Sequence, residues 1–171
     1  MYRNVLIATD LSECSEPALH AGIALAHTLG ASVIVLYVSQ PPYGAGSWFT
    51  PMAGIEMDSV LHWTGREEAA AREQLAKSVA HASAGGTIPN GIELRVVSGI
   101  AHDVILGEAA RLGIDLIVVG THGRSGFRRA LLGSIAERLV RTSPVAVLTV
   151  RGAEPLDKGA TTSRGTSAHS A

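Results

Sequence analysis

Short apolar runs separated by amphipathic stretches set the rhythm of this chain. Val5, Leu6, Ile7 and Ala8 follow one another without alternation, the pattern of a strand buried on both faces. Polar residues come next (Asp10, Ser12, Glu13, Ser15), then Pro17, which suits a first helical turn, and then an Ala/Leu/Ile stretch that stops at Gly30. Residues 32–38, SVIVLYV, repeat the strand signal, so the opening 38 residues read as one βαβ unit with a right-handed crossover. Residues 39–57 break the rhythm with Pro41, Pro42, Gly44, Gly46, Pro51 and Gly54. Loops of this length often serve as lids or binding elements, and the apolar Trp48, Phe49 and Met52 predict that this one folds back over the body.

A helix is predicted from Asp58 to about Ala84, ended by Gly85 and Gly86. The remaining pattern predicts a strand at 92–97, a helix at 101–112 stopped by Gly113, and a strand at 115–119. A loop at 120–132, a helix at 133–142 and a last strand at 145–150, just after Pro144, complete the body. Five strands alternating with four helices predict an α/β fold, an open and mostly parallel sheet with helices on both faces. Residues 152–171 are rich in Gly, Ser, Thr and Ala without periodicity and are expected to be a disordered tail after a single domain at 1–151.

Composition narrows the function classes. The 171 residues are 46% hydrophobic and 17% charged, with a formal net charge of -1, so there is no basic footprint for nucleic acid or an acidic membrane. The single Cys14 excludes an internal disulfide and a cysteine zinc cage, and fits a reducing compartment. The opening MYRNVLIATD lacks a secretory pattern, and no apolar run reaches the length of a membrane span, since His27, Thr28, Gly30 and Ser32 break the most apolar region. A soluble, cytoplasmic protein is expected. Nineteen glycines exceed the about twelve that an average usage of about 7% would give.

In an open α/β sheet, ligands bind beyond the carboxyl ends of the strands. Of the segments that leave those ends, the one after the fourth strand is the most unusual: GTHGRSGFRRALLGS, from Gly120 to Ser134. Its glycines permit close backbone approach, and the following helix offers free N–H groups to an anion. Arg124, Arg128 and Arg129 add the charge that a polyphosphate needs. The plain alternative is a strand-end turn, a helix-start glycine and a solvated arginine face; the combination at one end of the sheet favours the phosphate cradle.

Gly120, two residues, Gly123, nine residues and Gly133-Ser134 together resemble the ATP-binding signature of the universal stress protein family. The opening NVLIATDLSECSEPALHAGIALA and the closing SIAERLVRTSPVAVLTVR are also similar to that family, and the resemblance covers about residues 2–151. It implies a Rossmann-like sheet of the adenine nucleotide alpha hydrolase type, in strand order 3-2-1-4-5. It further implies a homodimer formed through the last strand, bounded by Val145 and Val150. Adenine would lie between the ends of the first two strands, with contacts from Ala8, Thr9, Asp10 and the Val38 backbone, Asp10 bonding the base or the ribose or approaching a metal. The phosphates of ATP would lie on Gly120, Gly123, Gly133 and Ser134, with Arg124 and the Ile135 backbone nearby and Mg2+ sharing the triphosphate charge. The implied role is a nucleotide-responsive stress-response switch or binding module. A slow ATPase or nucleotide-dependent enzyme using the same cradle, and a partner-binding module preferring AMP, cyclic AMP or no nucleotide, are the alternatives. His122 and Asp10 alone could serve as a general base, which favours binding over turnover.

Other signals are weaker. Asp10 lacks the acidic neighbours and strand-end lysine of a phospho-accepting receiver, since Lys occurs only at 77 and 158. No Gly-Lys-Ser/Thr, no G-x-G-x-x-G and no Gly-x-Ser-x-Gly elbow is present. The seven histidines show no metal-ligand spacing.

Overall fold

The computed structural model describes residues 1–39, 57–83, 91–121 and 132–152, with the backbone alone at 57–64. Nine elements follow in the order β1 (Asn4–Thr9), α1 (Glu16–Leu29), β2 (Ser32–Ser39), α2 (Met57–Ala82), β3 (Ile92–Ser98), α3 (Ala101–Arg111), β4 (Leu116–Gly120), α4 (Ser134–Thr142) and β5 (Ala146–Val150). The strands form one parallel sheet in the order β3-β2-β1-β4-β5. The predicted α/β class and strand order are those observed. The loop at 40–56, the Gly85-Gly86 stop and the tail from 153 lie outside the described residues.

The unbroken apolar runs of the central strands reflect burial on both sides. Val5 and Ile7 of β1, Val33 and Val35 of β2 and Val118 of β4 face α1 and α2, where Ala18, Leu19, Ile23, Leu75 and Val79 close one apolar layer. Leu6, Ala8, Leu36, Ile117 and Val119 face the other way, onto Ile105 and Ala109 of α3 and Ala136 and Leu139 of α4. Adjacent residues of one strand therefore belong to opposite layers, as the period of two requires. Val5, Leu6 and Ile7 are all fully buried.

Close packing of α1 on β1 depends on Gly22. A Cβ placed there would lie 2.7 Å from Ile7 Cδ1 and 2.8 Å from Ile7 Cγ1, inside any van der Waals contact. α1 itself starts at Glu16 with Pro17 in its first turn and stops at Gly30, whose φ of 64° is the left-handed conformation of a helix C-cap.

Element ends differ from the sequence reading by a residue where side chains intervene. Asp115 precedes β4 because its carboxylate accepts the backbone N–H groups of Arg3 (2.8 Å) and Asn4 (3.1 Å) instead of joining the strand's core face. Ser39 and Ser98 prolong β2 and β3 in register, with their hydroxyls 2.6 Å apart. Ser143 Oγ accepts the Val145 N–H at 3.2 Å, which holds Val145 in the turn and delays β5 to Ala146. Gly120, read as the first loop residue, is the last residue of β4 and pairs with Val150.

The two edges of the sheet differ in chemistry. On β3, Arg95 bonds Glu93 at 2.6 Å and reaches Glu108 of α3 at 3.0 Å; Glu108 also takes Arg111 at 2.7 Å. The β5 edge, AVLTV, carries no charge.

Candidate nucleotide site

The parallel register brings most of the sequence-predicted residues to one row. Ala8 lies opposite Leu36 on β2 and Val119 on β4, so Thr9 is level with Tyr37 and adjoins the β4 end at Gly120. Val38 is one residue further along β2. Ala8 and Gly120 are buried, while Thr9, Asp10 and Val38 are half-buried at the carboxyl edge of the sheet, the end at which ligands bind in this class of fold.

Beyond β1 the chain makes a tight, hydrogen-bonded turn. Asp10 Oδ1 accepts the Ser12 N–H at 3.1 Å and the Ser12 hydroxyl at 2.6 Å. Thr9 Oγ1 accepts the Leu11 N–H at 3.1 Å. The Ser15 hydroxyl donates to the Ser12 carbonyl at 2.8 Å, so the 2.9 Å contact between Thr9 and Ser15 is made with the Thr9 proton. Leu11 bridges these bonds at a φ of 61°, a left-handed conformation that costs a non-glycine residue energy. This network, with a buried Ser15, fixes the direction in which Asp10 leaves the sheet.

The other wall is the start of α4. Thr121, buried, donates its N–H to the Val150 carbonyl at 2.9 Å and accepts the N–H of Gly133. The start of α4 is thereby held at the end of β4. Gly133 is the N-cap, with φ -67° and ψ 154°, and it has no side chain to accept the N–H groups of Ile135 and Ala136. The first intrahelical bond is Glu137 N–H to the Gly133 carbonyl at 2.9 Å. Ser134 and Ile135 therefore occupy the first two helical positions, where backbone donors and the helix dipole favour an anion. Gly123 and Arg124, together with His122, Arg128 and Arg129, lie outside the described residues.

The sequence reading did not single out Thr121, Ser12, Ser15 or Leu11 for this site. A Ser-rich turn after β1 was visible, but which hydroxyl bonds which backbone group depends on the left-handed Leu11. Among the described residues, no three His, Cys, Asp or Glu side chains converge where a metal could sit, and no helix is long and apolar enough to cross a membrane.

The family model for the universal stress protein family matches residues 1–151. The chain belongs to the universal stress protein family. Among curated relatives in that family, universal stress protein MJ0531 of Methanocaldococcus jannaschii is 32% identical over 156 residues, which span 88% of this chain and 83% of that protein. Universal stress protein A homolog 1 of Coxiella burnetii is 29% identical, spanning 87% of this chain and 96% of its own. Among solved structures, the universal stress protein UspA from Lactobacillus plantarum superposes with a TM-score of 0.72 at 26% identity, covering 88% of this chain and 98% of that one. A universal stress protein crystallised in complex with cAMP superposes with a TM-score of 0.63, also at 26% identity, covering 88% and 97%.

Proposed function

We propose that this universal stress protein binds an adenine nucleotide, ATP in the first instance, and acts as a nucleotide-responsive switch. The observation that carries the reading is the glycine-capped start of α4, tied through Thr121 to the same sheet edge that presents Thr9, Asp10 and Val38. Base and ribose would lie over Ala8, Thr9, Asp10 and the Val38 backbone. The phosphates would meet Gly120, Gly123, Gly133, Ser134 and the Ile135 N–H, with Arg124 supplying positive charge. A solved relative is a cAMP complex, which supports an adenine nucleotide at this fold. The chemistry of the wall fits a Mg2+-nucleotide, because the backbone donors serve phosphate oxygens and leave the ion to the phosphates and water. Asp10 is the nearby carboxylate, one oxygen of which already accepts two bonds from Ser12.

The experiment is to denature the purified protein and identify any released nucleotide, then to titrate ATP, AMP and cyclic AMP into the emptied protein by calorimetry. ATP recovered intact, and ATP affinity lowered at least tenfold by Gly123→Val, are the expected results. Recovery of ADP after incubation with ATP would turn the reading toward hydrolysis. Unchanged ATP affinity in Gly123→Val would remove the cradle assignment.

A homodimer through β5 is the accompanying reading. It is supported by the contrast between the ion-paired β3 edge and the uncharged β5 edge, since an open apolar edge invites pairing.

A further inference from the structure

The sequence offers no His-x-x-x-His or similar spacing, yet the packing of α1 on α2 brings two histidines together. His20 on α1 and His81 on the last turn of α2 face each other with ring centroids 5.8 Å apart and ring planes at 80°. Both side chains are exposed, so their rings can turn without disturbing the core. The helices beneath them are held by Leu19, Ile23, Leu75 and Val79 in one apolar layer. The backbone spacing of the pair is thus fixed by the fold and not by the contact between the rings.

That spacing suits a shared ion. With a metal–nitrogen bond of about 2.0–2.1 Å and each nitrogen about 1.1 Å from its ring centre, two imidazoles on one ion have centroids about 5.2 Å apart at the tetrahedral angle of Zn2+ and at most about 6.4 Å apart when they stand opposite each other. The observed separation lies between these two values, so convergence on one ion asks the exposed rings to turn from their edge-to-face arrangement. The neighbouring cation does not oppose an ion there: Lys77, one turn before His81, is engaged by Glu73 at 2.7 Å. On α1, Glu16 lies one turn before His20 and adds negative charge to the same stripe.

We propose that His20 and His81 form a two-histidine site for a borderline divalent transition-metal ion such as Zn2+, Cu2+ or Ni2+, which clips α2 to α1. Imidazole nitrogen selects these ions, whereas Mg2+ and Ca2+ prefer oxygen ligands. Water fills the remaining coordination positions, so the site takes and releases its ion readily. An ion held by both helices raises the stability of the folded chain by mass action. The site is independent of the nucleotide reading, and Gly123→Val is expected to leave it unchanged.

The test uses the full, untagged chain with Zn2+ and Cu2+ alone as probes and Mg2+ as the control ion. Calorimetry is expected to give one readily exchanging site per chain for Zn2+ and none for Mg2+, and Zn2+ is expected to raise the unfolding temperature. His20→Ala and His81→Ala should each weaken Zn2+ binding at least tenfold and abolish the thermal shift. His27→Ala, an exposed histidine two turns along α1, should change neither. Cu2+ electron paramagnetic resonance should show hyperfine coupling to two nitrogens in the wild type and to fewer in either variant. Metal-free unfolding temperatures equal to wild type establish that the variants fold. Zn2+ affinity within twofold of wild type in His20→Ala or His81→Ala, or absence of a Zn2+ site in the wild type, would overturn the proposal.

Discussion

The backbone N–H of Gly133 donates to the carbonyl of Thr121, whose own N–H is bonded to Val150. One short chain of backbone bonds thereby fixes the start of α4 against β4 and β5. The first turn of α4 therefore sits at the carboxyl edge of the sheet, one strand from Thr9.

That arrangement gives Gly133→Asp a double signature. The backbone at Gly133 is in the extended region and accepts any residue, and an Asp N-cap adds a few tenths of a kcal/mol through its bond to the helix plus about 0.3–1 kcal/mol from the dipole. The same carboxylate would stand where a phosphate is proposed. Urea unfolding should show a small gain in stability, while calorimetry should show ATP affinity reduced at least tenfold. Equal affinity in the two proteins would separate the helix start from the ligand.

Gly22→Ala tests the approach of α1 to β1. Overpacking a core costs about 1–3 kcal/mol and a helical Gly-to-Ala change returns about 1 kcal/mol. With Ile7 fully buried beneath the new methyl, a net loss of up to about 2 kcal/mol is expected by chemical denaturation. Ile7→Val removes the atom nearest the clash, so the double variant should be less destabilised than the sum of the singles.

Glu108 provides the pH dependence. The Arg111 hydrogen bond, against a smaller opposing effect of burial and with the charges of Arg111 and Arg95 adding to it, holds its carboxyl below the usual carboxylate range. A lowered folded pKa means that this stabilisation is present above the unfolded carboxylate value of about 4.3 and disappears as pH falls through the folded value. Glu108 is only 14% exposed but Arg111 is 53% exposed, so solvent screening limits the contribution to about 0.5–1 kcal/mol. Glu108→Gln should lose that amount at pH 7 and converge on wild type in acid. A difference independent of pH would assign the loss to packing.

Thr149→Lys tests the β5 edge. Sedimentation velocity of the wild type is expected to report a dimer at micromolar concentration, and a lysine in this uncharged strand should shift it to monomer, as charges on edge strands oppose pairing. A wild type that sediments as a monomer would withdraw the β5 interface.

The sheet was legible in the sequence because both faces of its central strands are buried, which writes each strand as a continuous apolar run. Gly30 and Gly113 marked helix ends for a local reason, their left-handed backbone. What escaped the sequence reading depends on contacts across the fold. Asp115 scans as part of a strand until its carboxylate is seen to bond the start of β1. Gly120 scans as a loop residue until Val150 pairs with it. Thr121 carries no local sign of joining Val150 to Gly133. The meeting of His20 and His81 is set by how two helices pack, a relation that residue spacing along the chain does not encode.

The alternation along β1 has a consequence for how binding would be observed. Because Val5 and Ile7 serve the layer under α1 and α2 while Leu6 and Ala8 serve the layer under α3 and α4, the sheet partitions the interior into two compartments that share only strand backbones. The Asp10 turn leads into the first compartment and α4 belongs to the second. A ligand gripping both would act as a tie between them, and amide exchange should slow in both compartments together, whereas an ion on the His20–His81 pair should slow exchange in the first alone.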